Sequence, residues 1–180
     1  MSNKPMELGK ALSLLPHATV GRRRLRLDEL NTLVQLFRGI GSYCEVGVYF
    51  GLSLGVIGLC TGVKKINAYD TEKRNEVLDI MQLLDKHGVE CTYHICDFTG
   101  VVPDFCDMAL IDADHSYEMT LTHYHQCKMR AKFIVLHDVE MPGPGRVFKE
   151  VGGIKIVSSL DRDIAADGKI LPPLGYGILR

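Results

Sequence analysis

Tyr43-Cys-Glu-Val-Gly-Val-Tyr-Phe-Gly-Leu-Ser53 is the stretch that decides the fold. It predicts a short apolar strand, a tight turn with two glycines and the start of a buried helix. Glu45 places an acid inside the apolar strand, which is costly unless the carboxyl group meets donors or a cation. Gly47 and Gly51 indicate backbone that bends sharply or approaches another group closely. Together they predict the floor of a small-molecule pocket at the carboxyl end of a strand, where open α/β sheets bind ligands.

The size and composition are those of one globular domain. The chain has 180 residues, of which 46% are hydrophobic and 24% charged, enough to bury a substantial core. A formal net charge of -1 gives no electrostatic reason to expect nucleic acid or an anionic membrane as a partner. The longest apolar run, residues 52–63, is too short to span a bilayer, and no secretory signal is visible. Six scattered cysteines without a Cys-x-x-Cys pair predict reduced thiols and a cytoplasmic protein.

Strand-like and helix-like segments alternate along the chain. Strands are predicted at 43–48, 65–70, 91–96, 108–111, 133–136, 154–158 and 176–179, and helices at 28–38, 52–60, 71–87, 117–130 and 146–151. This order predicts an α/β fold, a Rossmann-like doubly wound, mostly parallel seven-stranded sheet between two helical layers. The last two strands have no helix between them and are expected to form an antiparallel hairpin at one edge.

Three further segments carry weaker signals. Residues 1–27 are expected to form an N-terminal arm, and residues 28–180 a single domain. Within the arm, the basic stretch 21–26 predicts either a solvated turn or a clamp for an anionic substrate. Residues 141–145, Met-Pro-Gly-Pro-Gly, predict a loop.

Five consecutive strands carry an acid within them or at their carboxyl ends. These acids are Glu45, Asp70, Asp97, Asp112 and Asp138. Because the carboxyl ends of parallel strands share one edge, the side chains are predicted to ring a single crevice. Dinucleotide-binding proteins have the motif Gly-x-Gly-x-x-Gly, whose middle glycine lets a pyrophosphate approach the backbone. The turn at 47–51 has bulky residues at that place, so a pyrophosphate is disfavoured. A cationic nucleoside without phosphate suits acidic walls better, with Asp70 accepting from ribose hydroxyls and Asp97 from an adenine amino group.

The ordered set of motifs resembles the class I S-adenosylmethionine-dependent methyltransferases over residues 28–180. Residues 45–53 look like that family's first motif, Asp70 like its ribose-binding acid, and Cys96-Asp97-Phe98 like its adenine-contact segment. Leu110-Ile-Asp-Ala-Asp-His-Ser-Tyr-Glu118, followed by Ile134-Val-Leu-His-Asp138, is similar to the small-molecule O-methyltransferases of the family 24 type. The resemblance implies O-methylation of a small-molecule hydroxyl with S-adenosyl-L-methionine as cofactor.

The resemblance also implies a set of site residues. The implied cofactor-binding residues are Glu45, Gly47, Gly51, Ser53, Asp70, Thr71, Asp97, Phe98 and Asp112. Asp112, His115 and His137 are expected near the transferred methyl group, with either histidine as base. Asp112, His137 and Asp138 are the candidate ligands for a divalent metal such as Mg²⁺, although magnesium prefers oxygen to imidazole. His123 and His125 are expected at the surface, and His94 in strand packing.

Departures from the family pattern leave other interpretations open. No long N-terminal or inserted cap is recognisable, so we expect an open pocket or one completed by a second subunit in a homodimer. A binding module that holds the cofactor without transferring a methyl group is one alternative function. A hydroxylase of the same fold is another, and turnover assays separate all three.

Overall fold

The computed structural model describes residues 4–16, 27–157 and 175–180. The basic stretch 21–26 lies outside the described residues. Residues 161–173, whose sequence predicts a polar loop, lie outside them as well. The helices are α1 (Leu8–Leu14), α2 (Leu27–Leu36), α3 (Leu52–Cys60), α4 (Asn75–Lys86), α5 (Tyr117–Lys128) and α6 (Pro142–Val151). The strands are β1 (Ser42–Val46), β2 (Lys65–Asp70), β3 (Glu90–Ile95), β4 (Cys106–Ile111), β5 (Ala131–Leu136), β6 (Ile154–Val157) and β7 (Gly175–Leu179).

The strands form one seven-stranded sheet in the order β3-β2-β1-β4-β5-β7-β6. Strands β1 to β5 are parallel to their neighbours, whereas β7 pairs antiparallel with both β5 and β6. The predicted doubly wound sheet with an antiparallel edge is therefore confirmed. The chain moves outward in opposite directions from β1 and β4, so the topological switch point lies between these two strands. Ligands bind at that position in open α/β sheets.

Two hydrophobic cores flank the sheet, one on each face. Helices α1 to α4 pack on one face against strand residues that include Tyr43 and Leu110. Helices α5 and α6 pack on the other face against residues that include Val46 and Ile111. Successive strand residues point to opposite faces, so each inner strand supplies both cores. Every residue of α3 is buried, as its apolar sequence predicts.

Residues 142–145 of the predicted 141–145 loop are helical, so this prediction is wrong. Helix α6 begins at Pro142, a residue whose fixed φ suits the first helical position. A Cβ on Gly143 would lie 2.1 Å from the carbonyl oxygen of His115. Glycine is therefore required because the start of α6 packs directly against the backbone before α5. Helix α4 also differs from its prediction, because it begins at Asn75 rather than at residue 71.

The N-terminal segment that the structure describes contacts the rest of the protein through α1. Ala11 and Leu15 are buried in the first core, and the Met6 N–H donates to the carbonyl oxygen of Leu59 at 2.9 Å. The division into a 1–27 arm and a 28–180 domain stays a prediction. All six cysteines are free thiols. Among the described helices, none combines the length and the hydropathy needed to cross a membrane.

Candidate active site

A cavity of about 570 Å³ lies at the carboxyl ends of the parallel strands. The turn after β1, the end of β2, the loops after β3, β4 and β5, and one side of α5 form its wall. Four of the five predicted acids line it, namely Asp70, Asp97, Asp112 and Asp138. No lysine or arginine is present among the described residues of the wall. The cavity is therefore acidic, and its volume is in the range of small-molecule sites.

Asp70 holds the glycine turn in place. Its Oδ2 accepts hydrogen bonds from the backbone N–H groups of Val48 at 3.0 Å and Tyr49 at 2.8 Å. Its Oδ1 accepts from the N–H of Glu72 at 3.1 Å. Gly47 has φ +88°, and a Cβ there would lie 2.2 Å from the carbonyl oxygen of Asp112. The turn thus lies directly against the end of β4, and only glycine fits at its first position.

Glu45 lies beneath the cavity and does not line it. Its side chain is completely buried, and it accepts hydrogen bonds from the hydroxyls of Tyr43 at 2.5 Å and of Ser53. Burial raises the pKa of Glu45 to about 8, although these two hydrogen bonds oppose the increase. Gly51 also lies outside the cavity wall, with Ile80 2.8 Å from the position of an added Cβ. A cofactor-binding role for Glu45 and Gly51 stays a prediction without direct contact to support it.

The other predicted cofactor residues all line the cavity. They are Gly47, Ser53, Asp70, Thr71, Asp97, Phe98 and Asp112. Asp97 is exposed at the rim, where its Oδ1 accepts from the N–H of Thr99 at 2.9 Å. The hydrogen bonds from Thr99 lower the pKa of Asp97, so this carboxylate is charged at neutral pH.

Aromatic rings form the wall beside Asp97. The Phe98 ring meets Tyr69 edge-on, with centroids 4.9 Å apart, and His123 meets Phe98 edge-on at 5.5 Å. His94 stacks on the other side of Tyr69 at 4.5 Å, which agrees with its expected packing role. His125 is exposed as expected, but His123 is only 3% exposed, so its predicted surface position is wrong.

Two histidines and three carboxylates meet at the opposite end of the cavity. His115 Nε2 lies 3.0 Å from Asp138 Oδ2. His137 Nδ1 lies 2.9 Å from Asp112 Oδ1 and 3.4 Å from Asp138 Oδ2. On its other side, His137 Nε2 lies 3.5 Å from Oε1 of Glu29, a buried acid on α2. Asp138 adopts a left-handed φ of 54°, which is uncommon for a residue other than glycine.

The carboxylates decide the protonation of both histidines. The hydrogen bond to Asp138 raises the pKa of His115, although burial opposes it. Burial would lower the pKa of His137, but Asp112, Asp138 and Glu29 outweigh it and hold the pKa well above its usual value. Burial would likewise raise the pKa of Asp138, but the two histidines hold it well below its usual range. The carboxylates therefore favour the imidazolium form of His137, whose positive charge compensates the acids around it.

The predicted metal ligands fit this geometry poorly. Both nitrogens of His137 already face carboxylates, and the imidazolium form that these carboxylates favour has no lone pair for a metal. Asp112, His115 and Asp138 do place three ligand atoms within 4.8 Å of one another. This set includes an imidazole that already pairs with one of the two carboxylates, whereas magnesium prefers oxygen ligands throughout. We therefore derive no chemical step through a metal.

Sequence reasoning missed Glu29 and His123, although helical spacing carries a signal for both. Glu29 lies four residues before Leu33, a core residue of α2. His123 lies three residues after Thr120 and four before Cys127, which are both buried. Residues three or four apart share a helix face, so each polar side chain is placed on the buried side of its helix.

Comparisons with known proteins give matches in structure but not in sequence. No protein-family model and no curated protein matches the chain. An O-methyltransferase from Bacillus cereus in complex with S-adenosylhomocysteine superposes with a TM-score of 0.64 at 12% identity, covering 98% of this chain and 92% of its own. The N-methyltransferase NodS from Bradyrhizobium japonicum, also with S-adenosylhomocysteine, gives 0.63 at 11% identity, with 96% and 97% covered. An rRNA methylase from Streptococcus thermophilus gives 0.57 at 12% identity, with 88% and 98% covered.

Proposed function

We propose that this chain methylates a hydroxyl group of a small molecule. The premise is that it has the fold of the class I S-adenosylmethionine-dependent methyltransferases. The neighbours of this fold include oxygen, nitrogen and rRNA methylases, so the choice of acceptor rests on the cavity itself. The single observation that carries the proposal is the His115–Asp138 pair, 3.0 Å apart, in the same cavity as the glycine turn and Asp70.

The acidic wall suits the proposed cofactor. S-adenosyl-L-methionine, when bound, supplies an electrophilic methyl group on a sulfonium and carries no phosphate. Asp70 Oδ2 already accepts from two backbone N–H groups and Oδ1 accepts from one, so Oδ1 keeps a lone pair that can accept from a ribose hydroxyl even while Asp70 holds the turn. Asp97 and Phe98 form the corner assigned to the base, and the absence of lysine and arginine from the described wall disfavours a phosphorylated ligand.

His115 is the proposed general base. It is partly exposed within the cavity and can therefore reach an acceptor hydroxyl. Nε2–H of the neutral imidazole donates to Asp138, which leaves Nδ1 as the free acceptor. As the hydroxyl oxygen attacks the methyl carbon and S-adenosylhomocysteine leaves, the hydroxyl proton passes to Nδ1, and Asp138 stabilises the imidazolium. The neutral form of His115 requires a pH above its raised pKa. Holding the two reactants in contact supplies roughly 7–11 kcal/mol of catalysis independently of the base.

His137 is a positioning residue in this proposal rather than the base. Its side chain is 7% exposed, and its hydrogen bond to Asp112 and its contact with Asp138 hold these two acids at the end of the cavity. A hydroxyl needs a base because its proton is lost on methylation, whereas a neutral amine can attack without one. The His115–Asp138 pair therefore favours oxygen as the methylated atom.

Binding and turnover of the full chain test the proposal in two steps. Isothermal titration with S-adenosylhomocysteine is expected to give one site per chain. Incubation of S-adenosylmethionine with catechol and with simple phenols is then expected to release S-adenosylhomocysteine, detected by mass spectrometry together with the methylated product.

The outcomes separate the competing functions. His115→Gln should lower turnover at least about 100-fold, the low end of general base catalysis, while the affinity for S-adenosylhomocysteine stays within about threefold. The matched control is His125→Gln, an exposed histidine on α5. Binding without product from any hydroxyl acceptor would favour the binding module, and product formation that requires oxygen and a reductant would favour the hydroxylase.

A further inference from the structure

We propose that His123 determines the specificity of the cavity for the base of the cofactor, by hydrogen-bonding the edge of the purine through one ring nitrogen. The inference rests on the proposed function, because it takes the aromatic corner of the cavity as the site of the base. It adds a residue of α5 to the recognition of the adenosyl group.

His123 is a buried polar side chain, and one of its ring nitrogens is unpaired among the described residues. It is 3% exposed and forms part of the cavity wall. Its Nδ1 is buried and has no hydrogen-bond partner among the residues that the structure describes. Buried polar groups of native proteins are nearly always hydrogen-bonded, because an unpaired group keeps its desolvation penalty. An unpaired histidine in the wall of a cavity therefore indicates that a ligand supplies the missing bond.

The neighbours of His123 indicate which part of the ligand would contact its side chain. Its ring packs edge-on against Phe98, with centroids 5.5 Å apart and planes at 76°. Phe98 in turn packs against Tyr69, and both rings line the same cavity. These edge-on rings give this part of the cavity wall a largely apolar surface, against which a heteroaromatic base packs better than a ribose or an amino acid.

The protonation of His123 suits this role. Burial lowers its pKa, whereas the nearby charges of Asp97 and Asp114 oppose this decrease, so the ring is neutral near pH 7. A neutral imidazole offers one N–H donor and one bare nitrogen acceptor. The edge of adenine presents an amino donor beside ring-nitrogen acceptors, whereas hypoxanthine replaces the amino group with a carbonyl oxygen. A ring nitrogen that accepts from the amino group must change tautomer before it can donate to the carbonyl oxygen of the analogue. We expect this change to make binding of the analogue weaker.

Titration of the full chain with two probes tests the inference. The probes are S-adenosylhomocysteine and its deaminated counterpart S-inosylhomocysteine, with wild type and His123→Phe compared. We expect the variant to bind S-adenosylhomocysteine about 2- to 12-fold more weakly, the range for one neutral hydrogen bond. The preference for S-adenosylhomocysteine over S-inosylhomocysteine should decrease by a similar factor. A role limited to packing would change both affinities together and leave this preference unchanged.

Three further variants complete the design. His123→Leu carries the same expectation and decides the case where the phenylalanine protein does not fold. His123→Gln retains a donor and an acceptor. It should restore at least half of the lost change in the logarithm of the affinity ratio between S-adenosylhomocysteine and S-inosylhomocysteine. His125→Phe removes an exposed histidine from the same helix and should change neither affinity.

The two ways to fail are distinguishable. Absence of S-adenosylhomocysteine binding to the wild type overturns the proposed function, and the inference with it. Binding to the wild type with an unchanged preference in both His123→Phe and His123→Leu overturns the inference alone.

Discussion

Replacing Glu45 with glutamine should remove a large pH dependence from the stability of the protein. Tyr43 and Ser53 enclose the carboxyl group, and burial raises its pKa from 4.5 to about 8. Between these two values the folded chain holds a proton that the unfolded chain has lost. The free energy of unfolding therefore falls as pH rises through this window. At about 1.4 kcal/mol per pH unit, the decrease attributable to Glu45 is roughly 5 kcal/mol.

Glu45→Gln should remove this decrease without disturbing the site. A glutamine amide offers an acceptor oxygen and an NH2 donor group where the protonated carboxyl group offers an acceptor oxygen and an O–H donor. Each hydroxyl therefore keeps a partner, with one of the two hydroxyls accepting instead of donating. The variant should match wild type near pH 5 and be more stable by up to roughly 5 kcal/mol near pH 8. Such a difference is a large part of the stability of a typical domain.

Urea unfolding of both proteins at several pH values measures the effect. Other titrating groups cancel in the difference between the two free energies of unfolding, provided that each transition is two-state. Glu90→Gln is the matched control because Glu90 is exposed in β3, and it should leave the pH dependence unchanged. Parallel pH profiles for wild type and Glu45→Gln would refute the conclusion that this carboxyl group is protonated in the folded protein.

Three other predictions concern the cavity. The rate of methyl transfer should rise with pH as His115 loses its proton above about pH 6.5. Asp138→Asn should move this rise to lower pH. An unchanged profile in the variant would exclude His115 and Asp138 as base and partner. Gly47→Ala should weaken S-adenosylhomocysteine binding at least about tenfold in a titration, because the added Cβ meets the backbone at 2.2 Å. Gly88→Ala, at a positive φ with open space around it, should leave that affinity unchanged, and equal losses in both variants would contradict the steric argument. Turnover should persist in excess EDTA, whereas its loss and recovery with added Mg²⁺ would restore the metal mechanism.

The sheet was predictable because its strands are short apolar runs that end in acids. Parallel strands bring such ends to one edge, so the meeting of Asp70, Asp97, Asp112 and Asp138 follows from the order of the elements. The cost of burying Glu45 was also predictable, but its compensation by two hydroxyl groups depends on packing between β1 and α3.

The features that could not be predicted depend on contacts between distant segments. Proline and glycine usually mark a loop, yet Gly143 is needed in a helix because α6 lies against the carbonyl oxygen of His115. His123 shares a helix face with Thr120 and Cys127, but its contact with Phe98 depends on where the segment after β3 packs against α5. The proton on His137 depends on three carboxylates from separate elements, one of which comes from α2.

The three backbone amides that converge on Asp70 have a consequence for how a ligand is received. These hydrogen bonds join the segment after β1 to the end of β2 before a ligand binds. This part of the cavity is therefore ordered by folding, and a ligand need not order it on binding. Association should therefore resemble docking into a rigid receptor, and a substitution of Asp70 would act first on the shape of the receptor and only then on its contacts.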